Sequence, residues 1–234
     1  MRVSSWDWWS TESDFREEST PRCRWLWSGG GCHCHHLLPL SPEGVRAHAL
    51  HPGGRAFFVS VRRWFYNDHR GRGTFSYDTE RDEWARHGDW ELPFGGQAHY
   101  DTGLGAWVGL RHVGIINKGY EPDGYLLCSC DVPSLDRLDA PAAPDCKLGS
   151  EKLFLHDPQW HVDAKLVYMG SGGRFCLVEI LTRQGVGREE CIGDGDKCVL
   201  RLATFCVEYG DHGELTTTAR RPARLYRLSR YQDR

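Results

Sequence analysis

Five potential metal ligands stand in a row early in the sequence, from Cys32 through His33, Cys34 and His35 to His36. Thiolate and imidazole are the side chains that zinc prefers. Contiguous ligands cannot all converge on one tetrahedral ion, however, and no second pair of ligands follows at the usual spacing. We therefore predict neither a dedicated metal site nor a cofactor. Metal binding through the Cys32–His36 cluster, as an exposed chelator of copper or zinc, stays open as an alternative.

Histidine and acid side chains stand close together twice, in His87-Gly88-Asp89 and in His99-Tyr100-Asp101. An imidazole beside a carboxylate can perform acid–base catalysis. Both groups fall in predicted turns or linkers, where Asp and Gly have backbone roles, so we interpret them as structural. The sequence predicts no catalytic residue and a protein that is not an enzyme. A hydrolase that uses carboxylates ranks behind this interpretation.

The remaining cysteines indicate packing and a reducing environment. Cys128 and Cys130 alternate along an apolar run and so share one face of a strand, which we expect to be buried. Cys191 and Cys198 flank an acidic, glycine-rich loop and could pair on oxidation. Because thiols inside apolar runs behave as small hydrophobic side chains, the composition favours the cytoplasm or the nucleus over a secreted location.

Charge and hydropathy exclude two classes of partner. The 234 residues carry a formal net charge of -3 without a long basic block, so we do not expect binding to nucleic acid. The basic stretch at 220–230 is interpreted as a final strand with solvated arginines. No apolar run is long enough to cross a bilayer, and acids interrupt any signal-like segment at the start. The partner that remains is another protein, with the oligomeric state left open.

A strand that ends in an acid occurs three times: Thr74-Phe75-Ser76-Tyr77-Asp78, Leu127-Cys128-Ser129-Cys130-Asp131 and Thr204-Phe205-Cys206-Val207-Glu208. Before each one, two short apolar runs surround a glycine-rich turn, which is the pattern of a β-hairpin. After each one, a polar turn leads into a fourth strand. We expect the three acids to accept backbone hydrogen bonds in these turns.

The repeat predicts an all-β fold, with an irregular segment at 1–31 and a repeat domain at 32–234. Its units cover approximately 37–90, 91–148 and 153–230, and each is a four-stranded antiparallel sheet. Such units are typical of propeller blades, so we predict a partial or small β-propeller-like array, with a β-sandwich as the alternative. Three units do not ordinarily close a ring. The segment 1–31, which contains five tryptophans, could complete another blade or form a partner-binding surface: Trp6, Trp8, Trp9, Trp25 and Trp27.

The repeat also resembles a family of uncharacterised, grass-expanded plant proteins with kelch-like repeats, of the type catalogued as domain of unknown function 1618. The similarity spans roughly 37–228 and is carried by the segments 73–80, 84, 87–90, 92–94, 107–110, 128–133 and 166–170. It implies a propeller-like fold and carries no activity, substrate or cofactor. Together, the repeat and the resemblance predict a non-enzymatic scaffold or protein-interaction module.

Overall fold

The computed structural model describes residues 44–62, 72–112, 125–136, 143–149, 151, 153–154, 160–170, 172–191 and 195–227. These residues form thirteen strands and two short 3₁₀ helices, at Arg188–Cys191 and Gly195–Lys197. The strands are β1 (Val45–Leu50), β2 (Ala56–Val61), β3 (Gly73–Asp78), β4 (Glu83–Gly88), β5 (Gly95–Asp101), β6 (Ala106–His112), β7 (Tyr125–Asp131), β8 (Cys146–Leu148), β9 (His161–Tyr168), β10 (Arg174–Thr182), β11 (Cys198–Tyr209), β12 (Leu215–Thr218) and β13 (Arg224–Arg227). The prediction of an all-β fold is confirmed.

The strands form three meanders in which each strand pairs with the next along the chain. Unit 1 is β1–β4, unit 2 is β5–β8 and unit 3 is β9–β12, while β13 pairs with the first half of β11. The three repeated segments form most or part of β3, β7 and β11, the third strand of each unit. The second residues of these segments, Phe75, Cys128 and Phe205, are all buried. The repeated segments therefore occupy the same position, the third strand, in each of the three units.

Units 1 and 2 share one sheet, which the sequence did not predict. β1 pairs with β5 in parallel, and this joins the two meanders into an eight-stranded sheet of order β4-β3-β2-β1-β5-β6-β7-β8. Each first strand would otherwise leave one edge with unpaired N–H and C=O groups. Pairing the two edges satisfies those groups, so a continuous sheet replaces the two separate blades expected from the repeat.

The joined sheet folds back on itself about β1 and β5. The rings of Phe58 in β2 and Trp107 in β6 have centroids 5.3 Å apart. In a flat sheet these strands would be three spacings apart, roughly 14 Å. The linker residues Leu92 and Phe94 are buried in the fold between the two halves. The resulting core contains small and large apolar side chains from both units: Ala47, Ala49, Phe58, Leu92, Phe94, Ala98, Trp107, Cys128 and Cys130.

Unit 2 has apolar neighbours on both faces. Along β6, Trp107 contributes to the core shared with unit 1, whereas Val108 and Leu110 contribute to the core shared with unit 3. A strand covered on both faces reads as a continuous apolar run, as β6 does. The second core joins units 2 and 3 through these side chains: Val108, Leu110, Leu127, Leu153, Leu166, Phe175, Leu177, Phe205, Val207 and Leu215. The three units therefore pack in sequence order, face to face.

Candidate functional site

The Cys32–His36 cluster and the five N-terminal tryptophans lie outside the described residues. The prediction that the cluster is not a dedicated metal site and the alternative that it binds metal therefore both stay untested. Within the described ranges, no group of three or more His, Cys, Asp or Glu side chains is arranged to hold a metal ion. In the same part of the chain, no helix combines the length and hydropathy needed to cross a bilayer.

His87 and Asp89 do not form a catalytic pair. His87 is fully buried, its Nε2 lies 2.8 Å from Ser76 Oγ, and its ring packs on Phe58 with the centroids 4.7 Å apart. The Asp89 side chain is 80% exposed and pairs with Arg86 on the surface. The imidazole is therefore a core side chain, and the carboxylate is directed to solvent.

Asp78 has the turn role that the sequence predicted for it. Its Oδ1 accepts hydrogen bonds from the amide nitrogens of Glu80, at 3.0 Å, and Arg81, at 3.2 Å. Burial alone would raise the pKa of Asp78, but these amides and the charge of Arg55 outweigh it and lower the pKa. Asp101 has a similar role, since its Oδ1 accepts a 2.9 Å hydrogen bond from the amide of Leu104.

The first strands of the three units meet at His99. β1 and β5 pair in parallel up to Ala49 and Ala98, the residues just before Leu50 and His99. Nε2 of His99 lies 2.9 Å from the carbonyl oxygen of Leu166 in β9. Because a carbonyl can only accept, this Nε2 carries the proton. His99 thus links β5, which pairs with β1, to β9.

Large side chains are exposed on both sides of His99. Leu50, at the end of β1, is 63% exposed, and Met169, directly after β9, is 52% exposed. The carbonyl of Leu50 is held by a 2.8 Å hydrogen bond from Trp107 Nε1, and Tyr168 stacks on His99 with the ring centroids 6.4 Å apart. We call Leu50, His99, Tyr168 and Met169 the inner-strand surface. Exposed apolar side chains on a hydrogen-bonded backbone are suited to contact with a partner.

The electrostatics of this surface suit binding better than proton transfer. Burial, followed by the charge of Asp101, raises the pKa of Tyr168, so its phenol stays neutral near pH 7. Partial burial beside β5 and the nearby His99 lower the pKa of His48, which also favours the neutral form. The described groups around His99 therefore present neutral, polarisable rings, and no activated acid–base pair is formed among them.

A buried charged cluster in unit 3 was not predicted from the sequence. Glu179 in β10 is fully buried and forms an ion pair with Arg201, its cross-strand neighbour in β11. His161 Nε2 lies 2.9 Å from the other carboxylate oxygen, and the rings of Tyr125 and Phe154 pack around this histidine. Nothing in the sequence indicated that Glu179 is buried beside a base, because it lies within the apolar run of β10. Only the register of β10 and β11 shows that Arg201 is opposite it. The cluster is enclosed by packed side chains, which favours a structural role.

Three thiols gather on one face of unit 2. Cys128 and Cys130 are buried, as the sequence predicted, and Cys146 of β8 lies directly opposite Cys130. The charge of Arg111 in β6 acts on Cys146 and lowers the pKa of this thiol. Cys191 and Cys198, which could pair on oxidation, are both buried, and their sulfurs donate to the backbone carbonyls of Lys197 and Cys191.

Comparison with known proteins identifies the family and leaves the activity open. The model of the family described as "Protein of unknown function (DUF1668)" matches residues 2–226, so the chain belongs to that family. The number differs from the 1618 expected from the sequence resemblance, and the description names neither a plant source nor kelch repeats, which stay predictions. No curated protein and no solved structure matches the chain.

Proposed function

We propose that this member of the DUF1668 family is a non-enzymatic scaffold that binds another protein through the inner-strand surface. The observation that carries the proposal is the exposure of Leu50 and Met169 on either side of His99. Burying the exposed part of these two side chains contributes about 1–2 kcal/mol each, which is enough to make them important contacts in an interface. Their backbones are already fixed by neighbouring strands, so little ordering entropy opposes binding.

The proposal includes a propeller-like, kelch-like arrangement of the units. It is supported by three four-stranded meanders that pack face to face in chain order, with their first strands side by side at His99. In propellers, loops at the ends of the blades commonly form a binding surface around the inner strands. The structural roles of His87, Asp78 and Asp101 argue for a binding role over hydrolysis.

The test compares two double variants of the full chain in a quantitative binding measurement. Partners recovered by the unaltered protein are purified, and their affinities for Leu50→Ser/Met169→Ser and for Leu148→Ser/Leu225→Ser are measured. The control pair is also exposed, at 42% and 66%, but lies on β8 and β13. We expect the first variant to weaken binding at least tenfold and the control to leave it within twofold. Equal affinities for both variants would reject the inner-strand surface as the contact site.

A further inference from the structure

We propose that Cys146 is a peroxide-reactive thiol and that Cys130 is its resolving partner, so that oxidation closes a disulfide between β7 and β8. The two cysteines lie on β7 and β8, whereas the inner-strand surface lies on or directly after β1, β5 and β9, so this proposal does not depend on the proposed function.

The register places Cys130 and Cys146 in the geometry that a cross-strand disulfide requires. The two residues are directly opposite each other in antiparallel strands. The flanking hydrogen bond runs from the amide of Asp131 to the carbonyl of Asp145 at 3.2 Å, so the cysteines occupy a non-hydrogen-bonded pair. The Cα atoms of such pairs are about 4.5 Å apart, within the range that disulfides span.

Cys128 is close to Cys146 but is less suited to bond with it. It lies two residues before Cys130 and is therefore a diagonal neighbour of Cys146, opposite Leu148. Diagonal neighbours have Cβ atoms roughly 7 Å apart, whereas a disulfide needs about 3.5–4.5 Å. The Cys128 thiol instead donates to the carbonyl oxygen of Gly109 at 3.5 Å, and its closeness to the Cys146 sulfur favours a thiolate there.

The surroundings of Cys146 favour its reactive form. The neighbouring Cys128 thiol, followed by the charge of Arg111, lowers the pKa of Cys146 to about 7, although burial opposes the shift. The thiolate is the nucleophilic form of cysteine. Cys146 is also only partly buried, at the edge of the eight-stranded sheet, whereas Cys128 and Cys130 are 0% and 1% exposed. A peroxide would therefore meet Cys146 first.

The protonated state of Cys130 before oxidation is consistent with a resolving role. Burial, then the charge of Cys146 and that of Asp131, raises the pKa of Cys130. The contribution from Cys146 disappears once that thiolate has become a neutral sulfenic acid. The first oxidation step thus makes the second thiol easier to deprotonate, which gives the two steps a fixed order.

The reaction needs hydrogen peroxide as the oxidant and balances without any other reagent. The Cys146 thiolate attacks one peroxide oxygen; the S–O bond forms, the O–O bond breaks, and the departing hydroxide takes up a proton to become water. Cys130 then attacks the Cys146 sulfur; the S–S bond forms, the S–O bond breaks, and hydroxide leaves with the proton of Cys130 as a second water. Two thiols are oxidised and one peroxide is reduced to two waters.

The disulfide would link the short strand β8 covalently to β7, next to the place where unit 2 contacts unit 3. β8 has three residues and forms one edge of the eight-stranded sheet. The next residue, Gly149, forms a parallel bridge with Leu215 of unit 3. Oxidation would therefore fix the place where unit 2 meets unit 3, and its effect should be seen in slower hydrogen exchange at β8 and β12.

The experiment treats the full, reduced protein with one equivalent of hydrogen peroxide and maps its cysteines by tandem mass spectrometry under non-reducing conditions. We expect a Cys130–Cys146 linkage that persists in Cys128→Ser. In Cys130→Ser we expect a sulfenic acid on Cys146 that dimedone traps. Cys176→Ser is the matched control, because Cys176 is a partly buried strand thiol whose pKa is raised by burial, and it should leave the linkage unchanged.

A second measurement tests the reactivity of Cys146 in the unaltered protein, so it does not depend on whether a variant folds. In the unaltered protein at pH 7, we expect iodoacetamide to label Cys146 at least tenfold faster than Cys176, because about half of Cys146 is thiolate at its pKa of about 7. Equal labelling rates would overturn the proposal. So would a peroxide-induced linkage of Cys146 to any cysteine other than Cys130.

Discussion

The carboxylate of Glu179 is not exposed to water, and two basic side chains beside it compensate its buried charge. Arg201 pairs with one carboxylate oxygen, and His161 Nε2 lies 2.9 Å from the other. Burying a charge is costly unless it is paired and hydrogen-bonded. The cluster is therefore interpreted as a compensated charge within unit 3, and the loss of a partner should be more harmful than the loss of the whole cluster.

We predict that Arg201→Met lowers the free energy of unfolding by about 3–5 kcal/mol, because it leaves the Glu179 carboxylate buried without its strongest partner. The double variant Glu179→Gln/Arg201→Met should recover part of this loss, since a neutral amide costs less to bury. Urea denaturation followed by tryptophan fluorescence measures both. Asp89→Asn, which removes the exposed ion pair with Arg86, is the control and should change little. An equal effect of Arg201→Met and Asp89→Asn would contradict the account of the cluster.

At the scale of strands, local patterns predicted which residues form each meander but not how the meanders join. The alternation of apolar residues and the glycine-rich turns indicated β1–β3, β5–β7 and β9–β11, because these pairings are between neighbours along the chain. The pairing of β1 with β5 was missed, since two unpaired strand edges carry no signal in their side chains. Leu50 and Met169 were missed for a related reason: an exposed apolar residue at a strand end looks the same in sequence as a buried one.

The thiols of β7, the third strand of unit 2, show the same limit of prediction from local sequence patterns. The alternation of Cys128 and Cys130 was enough to place both on one buried face. Their neighbour Cys146 follows after a long excursion of the chain, and only the register of β7 and β8 brings it opposite Cys130. Sequence spacing predicts contacts within a hairpin, whereas contacts across a long connection depend on tertiary packing.

Gly109 marks the closest approach between β6 and the linker that folds over it. A Cβ atom built at this position would lie 2.9 Å from both Cβ and Cγ of Phe94 and 3.1 Å from Cβ of Ala98. We predict that Gly109→Val lowers the free energy of unfolding by about 1–3 kcal/mol or more through overpacking. Gly95→Val in β5 is the matched control, because a Cβ atom at this position would meet only the carbonyl oxygen of Leu110 at 4.0 Å. Thermal unfolding of both variants by circular dichroism measures the difference, and similar melting temperatures would contradict the close packing at Gly109.

Across the whole molecule, unit 2 is stabilised from both sides and the outer units from the side of unit 2. Val108 and Leu110 belong to the core that contains side chains of unit 3, and Trp107 belongs to the core that contains side chains of unit 1. Polar contacts follow the same order, since Tyr209 Oη lies 3.2 Å from Ser129 Oγ across the boundary between units 2 and 3. In such a stack, stability is approximately a sum of unit and interface contributions. Damage to one interface should therefore reach both units that share it.

Phe175 provides the test, because it is fully buried in the core between units 2 and 3 and its ring lies 5.1 Å from that of Tyr168. We predict that Phe175→Ala lowers the free energy of unfolding by about 3–5 kcal/mol. Hydrogen exchange with mass spectrometry should then show faster exchange in β6 and β7 of unit 2 as well as in β9–β11, with β3 and β4 least affected. Leu225→Ala, at a position 66% exposed, is the control and should leave exchange unchanged. Faster exchange confined to unit 3 would mean that the units fold independently. The packing between units 2 and 3 would then not be what stabilises unit 2.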